Sequence, residues 1–215
     1  MSKIKLLIQI ITNPKRLKAL LSFNNKGYLD KIGWFKAFDS KEPVDENGNP
    51  LPWVTYSFID FIKDRLNKQQ RVFEFGSGNS TYFYAKYTQK VVSVEHDRTW
   101  YNKLYSSMPE NSDLIYCSLH RNGDYCRAPL KLNEKFDIII VDGRDRVNCC
   151  IQAINALTSN GVVVLDDSER DIYKDGIHYL IDNGFKQLSF SGISPGLFYL
   201  KSTSVFYKPN NCLNI

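Results

Sequence analysis

The first 29 residues contain no acid, although they carry Lys3, Lys5, Lys15, Arg16, Lys18 and Lys26. That segment alone supplies +6 of charge, so the formal total of +5 leaves the remainder at −1. A body with that balance is not a basic nucleic-acid surface, and no nucleic-acid partner is expected. Cysteine is sparse and unpatterned. Cys117, Cys126, Cys149, Cys150 and Cys212 form no C-x-x-C pair and no zinc spacing. An odd number without a framework excludes a disulfide-built domain and points to a reducing, cytoplasmic compartment. The adjacent Cys149 and Cys150 read as small helix residues. The apolar run Ile4–Ile11 is too short to cross a bilayer, is broken by Lys5 and Gln9, and lacks a small-residue cleavage site. Neither a membrane span nor an export signal is expected from it. No internal repeat or low-complexity tract appears.

One further absence decides the kind of site. Residues 71–97, RVFEFGSGNSTYFYAKYTQKVVSVEHD, read as strand, glycine turn, helix, strand and acid within one βαβ-sized unit. Gly76 and Gly78 let a ligand approach the backbone, and the free N–H groups at the next helix start favour an anionic group such as a carboxylate. Glu95, at the tip of the second strand, suits a ribose diol. A dinucleotide fingerprint needs a third glycine, where this chain has Thr81, so the pyrophosphate reading weakens. The unit reads as a nucleoside site.

What is present is a balanced globular composition, 43% hydrophobic and 24% charged, in a chain long enough for one full core with an attachment. Residues 1–55 read as a helical arm and an aromatic lead-in, and residues 56–215 as the main domain. The arm breaks at Asn13-Pro14, where proline fits the first turn of a second helix. A basic amphipathic arm can pack on a second copy or lie on the inner face of a membrane, and self-association is the favoured reading. The stretch Asp45–Pro50 is turn chemistry without a calcium-loop register. A helix from about Phe58 to Leu66 leads into the first strand.

After Asp97 the pattern predicts a helix over 99–107, a strand over 113–119 and a polar loop over 120–135. The run Phe136–Val141 is continuous and apolar, as in a central strand buried on both faces. A helix over 146–157, a strand over 162–165, a helix over 172–181 and strands over 185–190 and 205–208 follow. The alternation is that of an α/β domain with an open, seven-stranded, mostly parallel sheet and helices on both faces. Ligands collect beyond the carboxyl ends of such strands. Glu74, Glu95, Asp142, Asp166 and Asp167 therefore converge on one rim, where their mutual repulsion calls for cations.

The segment Glu74–Ser80, EFGSGNS, resembles the first motif of the class I S-adenosylmethionine-dependent methyltransferases, whose fold is Rossmann-like. Segments such as VDGRDRVNC and LDDSERD also look like a group of bacterial methyltransferase-like proteins. The resemblance covers roughly residues 50–208. It implies S-adenosylmethionine as cofactor, held by Glu74, Gly76, Ser77, Gly78, Ser80, Glu95, His96, Ser118, Asp142 and Tyr56. Ser118 enters because the end of the third strand approaches the adenine in that family, and Tyr56 because a helix before the first strand forms one cleft wall. In its metal-dependent O-methyltransferases an acid after the fourth strand and an acidic pair after the fifth hold magnesium. Asp142, Asp166 and Asp167 match those positions. The sugar-type enzymes place a second aspartate where this chain has Arg144. Asp145 is then either a general base or a helix cap, the cap being favoured. His96 and His120 can also take a proton, whereas His178 reads as structural.

The expected function is O-methylation of a hydroxyl on a sugar, glycan or other small polyol, with Asp142, Asp145 and His96 as catalytic candidates. The rival readings are a nicotinamide-dependent oxidoreductase, which Thr81 disfavours, and a non-catalytic binding subunit of the same fold.

Overall fold

The computed structural model describes residues 12–23 and 27–215. The expected helix over Ile4–Ile11 lies outside them. Short helices α1 (Pro14–Ser22), α2 (Tyr28–Lys31) and α3 (Trp34–Ser40) precede α4 (Tyr56–Lys63), which leads into the sheet. Then come β1 (Arg71–Phe75), α5 (Asn79–Tyr87), β2 (Lys90–Glu95), α6 (Arg98–Tyr105) and β3 (Ser112–Tyr116). The second half runs β4 (Phe136–Val141), α7 (Arg146–Ala153), β5 (Leu157–Asp166), α8 (Lys174–Asp182), β6 (Lys186–Gly192) and β7 (Lys201–Tyr207).

The seven strands are ordered β3-β2-β1-β4-β5-β7-β6. The first five are mutually parallel, and β7 pairs antiparallel with both β5 and β6. The final two strands are thus antiparallel to each other, and β7 alone opposes the rest of the sheet. Side chains alternate along the central strands and build two cores. Val72, Ile138, Ile140, Val162 and Val164 pack with Phe58, Ile62 and Tyr84 from α4 and α5. Phe73, Phe75, Ile139, Val141, Val163 and Leu165 pack on the other face with Cys149, Cys150 and Leu180. Both cysteines of the adjacent pair are buried and unbridged.

The lead-in is fastened to the loop between β6 and β7. Trp34 Nε1 donates to the Leu197 carbonyl and Trp53 Nε1 to that of Pro195, both at 2.8 Å. In α1, Asn13 Oδ1 accepts from the Arg16 amide at 3.1 Å and Pro14 opens the helix, as its sequence predicts. Asp45 Oδ1 accepts from the amides of Asn47 and Asn49, which closes the expected turn. Among the described residues no helix is long and apolar enough to cross a membrane.

β3 ends at Tyr116, three residues short of the sequence expectation, and two strands start earlier than expected for identifiable reasons. β5 begins at Leu157 because that residue already pairs with Phe136, ahead of a register shift before Ile138. β7 begins at Lys201, and its buried polar start, Lys201 to Ser204, pairs with Gly192 to Ser189. A polar tract carries no apolar signature, so the strand appeared to start at Val205.

Candidate functional site

β1 ends at Phe75, and the backbone then turns through Gly76 at φ 98° and Gly78 at φ 155° before α5 begins at Asn79. Both angles lie where side-chain-bearing residues are strained. A third glycine fixes the floor. A Cβ on Gly143 would lie 2.1 Å from Tyr125 Oη and 3.0 Å from Gly76 N, so the loop after β4 touches the first turn only because that position is bare. Together these turns bound a cleft of about 440 Å³ at the carboxyl ends of β1, β2 and β4. Glu74, Gly76, Ser77, Gly78, Ser80, Glu95, His96 and Asp142 all line it.

The acids have distinct settings. Glu95 Oε1 accepts from the amides of His96 at 2.7 Å and Asp97 at 2.8 Å, and Oε2 accepts from Ser77 Oγ at 3.0 Å. This holds the carboxylate rigid and leaves Oε2 free to take another donor. His96 Nδ1 lies 2.9 Å from Glu95 Oε1 but out of line for a hydrogen bond. Glu74 is buried, with Oε2 accepting from Thr81 Oγ1 at 2.6 Å and Ser93 Oγ at 2.8 Å. Those bonds tie β1, α5 and β2 beneath the glycine turn.

At the ends of β4 and β5 Asp142, Asp166 and Asp167 converge as expected, but not on open space, and of the three only Asp142 lines the cleft. Arg146 Nη2 reaches Asp142 Oδ1 at 2.9 Å, and its Nη1 reaches Asp167 Oδ2 at 3.2 Å. Lys201 Nζ lies 2.6 Å from Asp166 Oδ2 and 3.1 Å from Asp167 Oδ1. Thr203 Oγ1 donates to Asp166 Oδ1 at 2.8 Å. Burial, then the Asp166 charge, raises the Asp142 carboxyl well above its ordinary range, against the pull of Arg146. Burial lowers Lys201, but the Asp166 and Asp142 carboxylates outweigh it and hold the ammonium above its usual value.

No family model and no curated protein matches the sequence. Solved structures do match the fold. One is a methyltransferase-like protein from Silicibacter pomeroyi, with TM-score 0.53 and 21% identity over 75% of this chain and 91% of that one. Another is precorrin-6y C5,15-methyltransferase from Geobacter metallireducens, with TM-score 0.53 and 15% identity over 80% of this chain and 96% of that one. A third is the O-methyltransferase TomG from Streptomyces achromogenes in complex with S-adenosylmethionine, with TM-score 0.53 and 15% identity over 69% and 77% of the two chains. This is the class I methyltransferase fold.

Within a methyltransferase fold the cleft fits the cofactor by its own chemistry. The glycine turn leaves space for a ligand, α5 presents its first N–H groups to an anion, and Glu95 offers a fixed acceptor to a diol. Trp100, whose Nε1 donates to the Ser77 carbonyl at 2.9 Å, adds a flat apolar wall that the sequence did not single out. Two expected cofactor residues stand elsewhere. Tyr56 is buried against a separate cavity with Tyr82 and Phe83, and Ser118 lines another pocket with Cys117 and Leu132. β3 stops at Tyr116, two residues before Ser118, which is not among the residues that line the cleft.

Magnesium does not fit. The carboxylates of Asp142, Asp166 and Asp167 are already compensated by Arg146 and Lys201, so an ion would have to displace buried cations. Among the described residues no group of three or more His, Cys, Asp or Glu side chains is placed to hold a metal. Asp145 occupies the cap position of α7 at φ 51°, yet its side chain caps no backbone there. Its Oδ1 accepts from Asn148 Nδ2 at 2.7 Å and its Oδ2 from the Asn122 amide at 2.8 Å. It faces a second cavity, beside the cofactor cleft.

The buried Glu74 gives a pH signature. Burial raises it from 4.5 to about 6, against the hydrogen bonds that lower it. Because the folded value exceeds the unfolded one, the native state gains protons between these limits, so its stability falls as pH rises through them. Glu74→Gln is therefore expected to remove this dependence and to stabilise the fold at pH 7 by about 2 kcal/mol at most. Urea unfolding of both proteins between pH 4 and 7 checks it, and parallel pH profiles would refute it.

Proposed function

We propose that the chain is an S-adenosylmethionine-dependent methyltransferase acting on a hydroxyl of a sugar or other polyol. The observation that carries this reading is one cleft in which the strained Gly76–Gly78 turn, the fixed Glu95 carboxylate and Trp100 meet on a methyltransferase fold. The cofactor, when bound, supplies an electrophilic methyl group on a sulfonium. Gly76, Ser77 and Gly78 with the start of α5 hold its carboxylate end, Glu95 its ribose, and Trp100 its flat base. Asp142 lies at the cleft floor paired with Arg146, which also lies between it and Asp166 and Asp167. Asp145, steadied by Asn122 and Asn148 at the edge of the second cavity, takes the hydroxyl proton.

Calorimetry with S-adenosylhomocysteine, in buffer containing excess chelator, tests the reading. The intact chain is expected to bind with one-to-one stoichiometry, and Glu95→Ala to weaken binding by at least about tenfold, since it removes the charge-assisted hydrogen bond that Oε2 is free to accept. Absence of binding by the intact chain would end the proposal.

A further inference from the structure

The second cavity has a volume of about 660 Å³ and shares Gly143, Arg144 and Arg146 with the cofactor cleft. It is the neighbouring space a group-transfer acceptor would occupy, and its charges are unevenly committed. Arg146 is spent on Asp142 and Asp167, and Asp145 accepts two hydrogen bonds. Arg121 and Arg144 also line it, and among the described residues the guanidinium group of neither makes a hydrogen bond or ion pair. The nearby Arg127 and Arg170 are, by contrast, engaged by Asn122 and Asp167. The one acid of the lining without a partner is Asp175, so the uncommitted charge is positive.

The loop that carries Arg121 is tied at its backbone to the start of α7, next to Arg144. Asn122 sits at φ 50° and Asp145 at φ 51°, and the bond between them pins the loop carrying Arg121 to the start of α7. Left-handed backbone at a residue other than glycine is costly and persists where the surroundings fix it, as this bond does for both residues. The exposed Ile172 and the ring of Tyr173 form an apolar wall opposite.

We infer that this cavity is the acceptor site and that the acceptor carries an oxyanion, a carboxylate or a phosphate, gripped by Arg121 and Arg144. The inference rests on the methyltransferase reading and narrows its substrate from any polyol to an acidic one. A guanidinium fork matches either oxyanion in a bidentate manner, which a neutral sugar cannot exploit. Arg144 borders both spaces, so it orients the acceptor toward the cofactor.

The test uses the full chain with malonate and with pyrophosphate as separate probes, each with and without saturating S-adenosylhomocysteine. Saturable one-to-one binding of either probe is expected, with the stronger one naming the oxyanion. Arg121→Gln and Arg144→Gln should each weaken it by about tenfold, with S-adenosylhomocysteine affinity unchanged in Arg121→Gln. If S-adenosylhomocysteine binds but neither probe does, or if both variants bind the probe as the parent does, the acidic acceptor is wrong and the methyltransferase reading stands. If S-adenosylhomocysteine itself fails to bind, both fall.

Discussion

Lys201→Met is expected to destabilise the fold by about 3–5 kcal/mol, the usual result of removing one partner from a buried ion pair. Lys201 is 4% exposed and binds Asp166, Asp167 and the Trp53 carbonyl, the last at 3.0 Å. Methionine fills a similar volume, so the loss is electrostatic: Asp166, itself 1% exposed, keeps Thr203 and the more distant Arg146 but loses the cation in direct contact with it. For a chain of this size the melting temperature should drop by roughly 10 °C. Asp166→Asn placed on the Lys201→Met background should recover part of the loss, because it removes the orphaned charge. Urea unfolding of the parent, both single variants and the double variant measures the coupling. A Lys201→Met protein within 1 kcal/mol of the parent, on the scale of ordinary surface changes, would mean that the cluster is hydrated and of little structural weight.

Gly143→Ala should damage the cofactor cleft as well as the fold. The new methyl group would meet Tyr125 Oη at 2.1 Å, with the backbone of Phe75 and Gly76 at 3.0 Å behind it. Tyr125 is fully buried and packs against Phe75, with ring centroids 5.7 Å apart, so it has little room to retreat. Overpacking of this kind costs about 1–3 kcal/mol. The backbone that must yield is the glycine turn itself, and S-adenosylhomocysteine affinity should fall by at least about tenfold, the effect of losing about 1.4 kcal/mol. Tyr125→Phe in the same chain removes the nearest atom and should restore stability in part, leaving the backbone contacts to limit affinity. Unaltered affinity in Gly143→Ala would show that the two loops move independently.

The cleft around the glycine turn was readable in the sequence because its determinants are local. Gly76, Gly78 and Glu95 fall within one βαβ unit, and the apolar runs of β1, β2 and β4 fix where the chain turns back. The strand-end acids were readable for the same reason. Their partners were not. Lys201 meets Asp166 through the antiparallel register that sets Asp166 opposite Thr203, a pairing across 35 residues without local pattern. Arg146 lies only four residues from Asp142, but its reach to Asp167 depends on how β4 and β5 align. Three carboxylates at strand ends looked like a metal site because the cations that answer them come from elsewhere in the fold. Tyr56 and Ser118 failed to reach the cleft for a simpler reason. Each was placed by proximity to an element end, and side-chain direction at such ends changes with one residue of register.

The antiparallel strand has a consequence for how the protein is made. β7 lies inside the sheet, between β5 and β6, yet it is synthesised after both. While a ribosome delivers the chain from its amino end, β5 has no neighbour on that side, and Asp166 waits beside Asp167 with Arg146 as its nearby cation. Insertion of Lys201 and Thr203 then closes the sheet and neutralises the acids in one step. A nascent chain interrupted before residue 201 therefore holds both an open strand edge and a pair of acids with Arg146 alone to balance them, two features that favour its aggregation or removal over premature use of the half-built site.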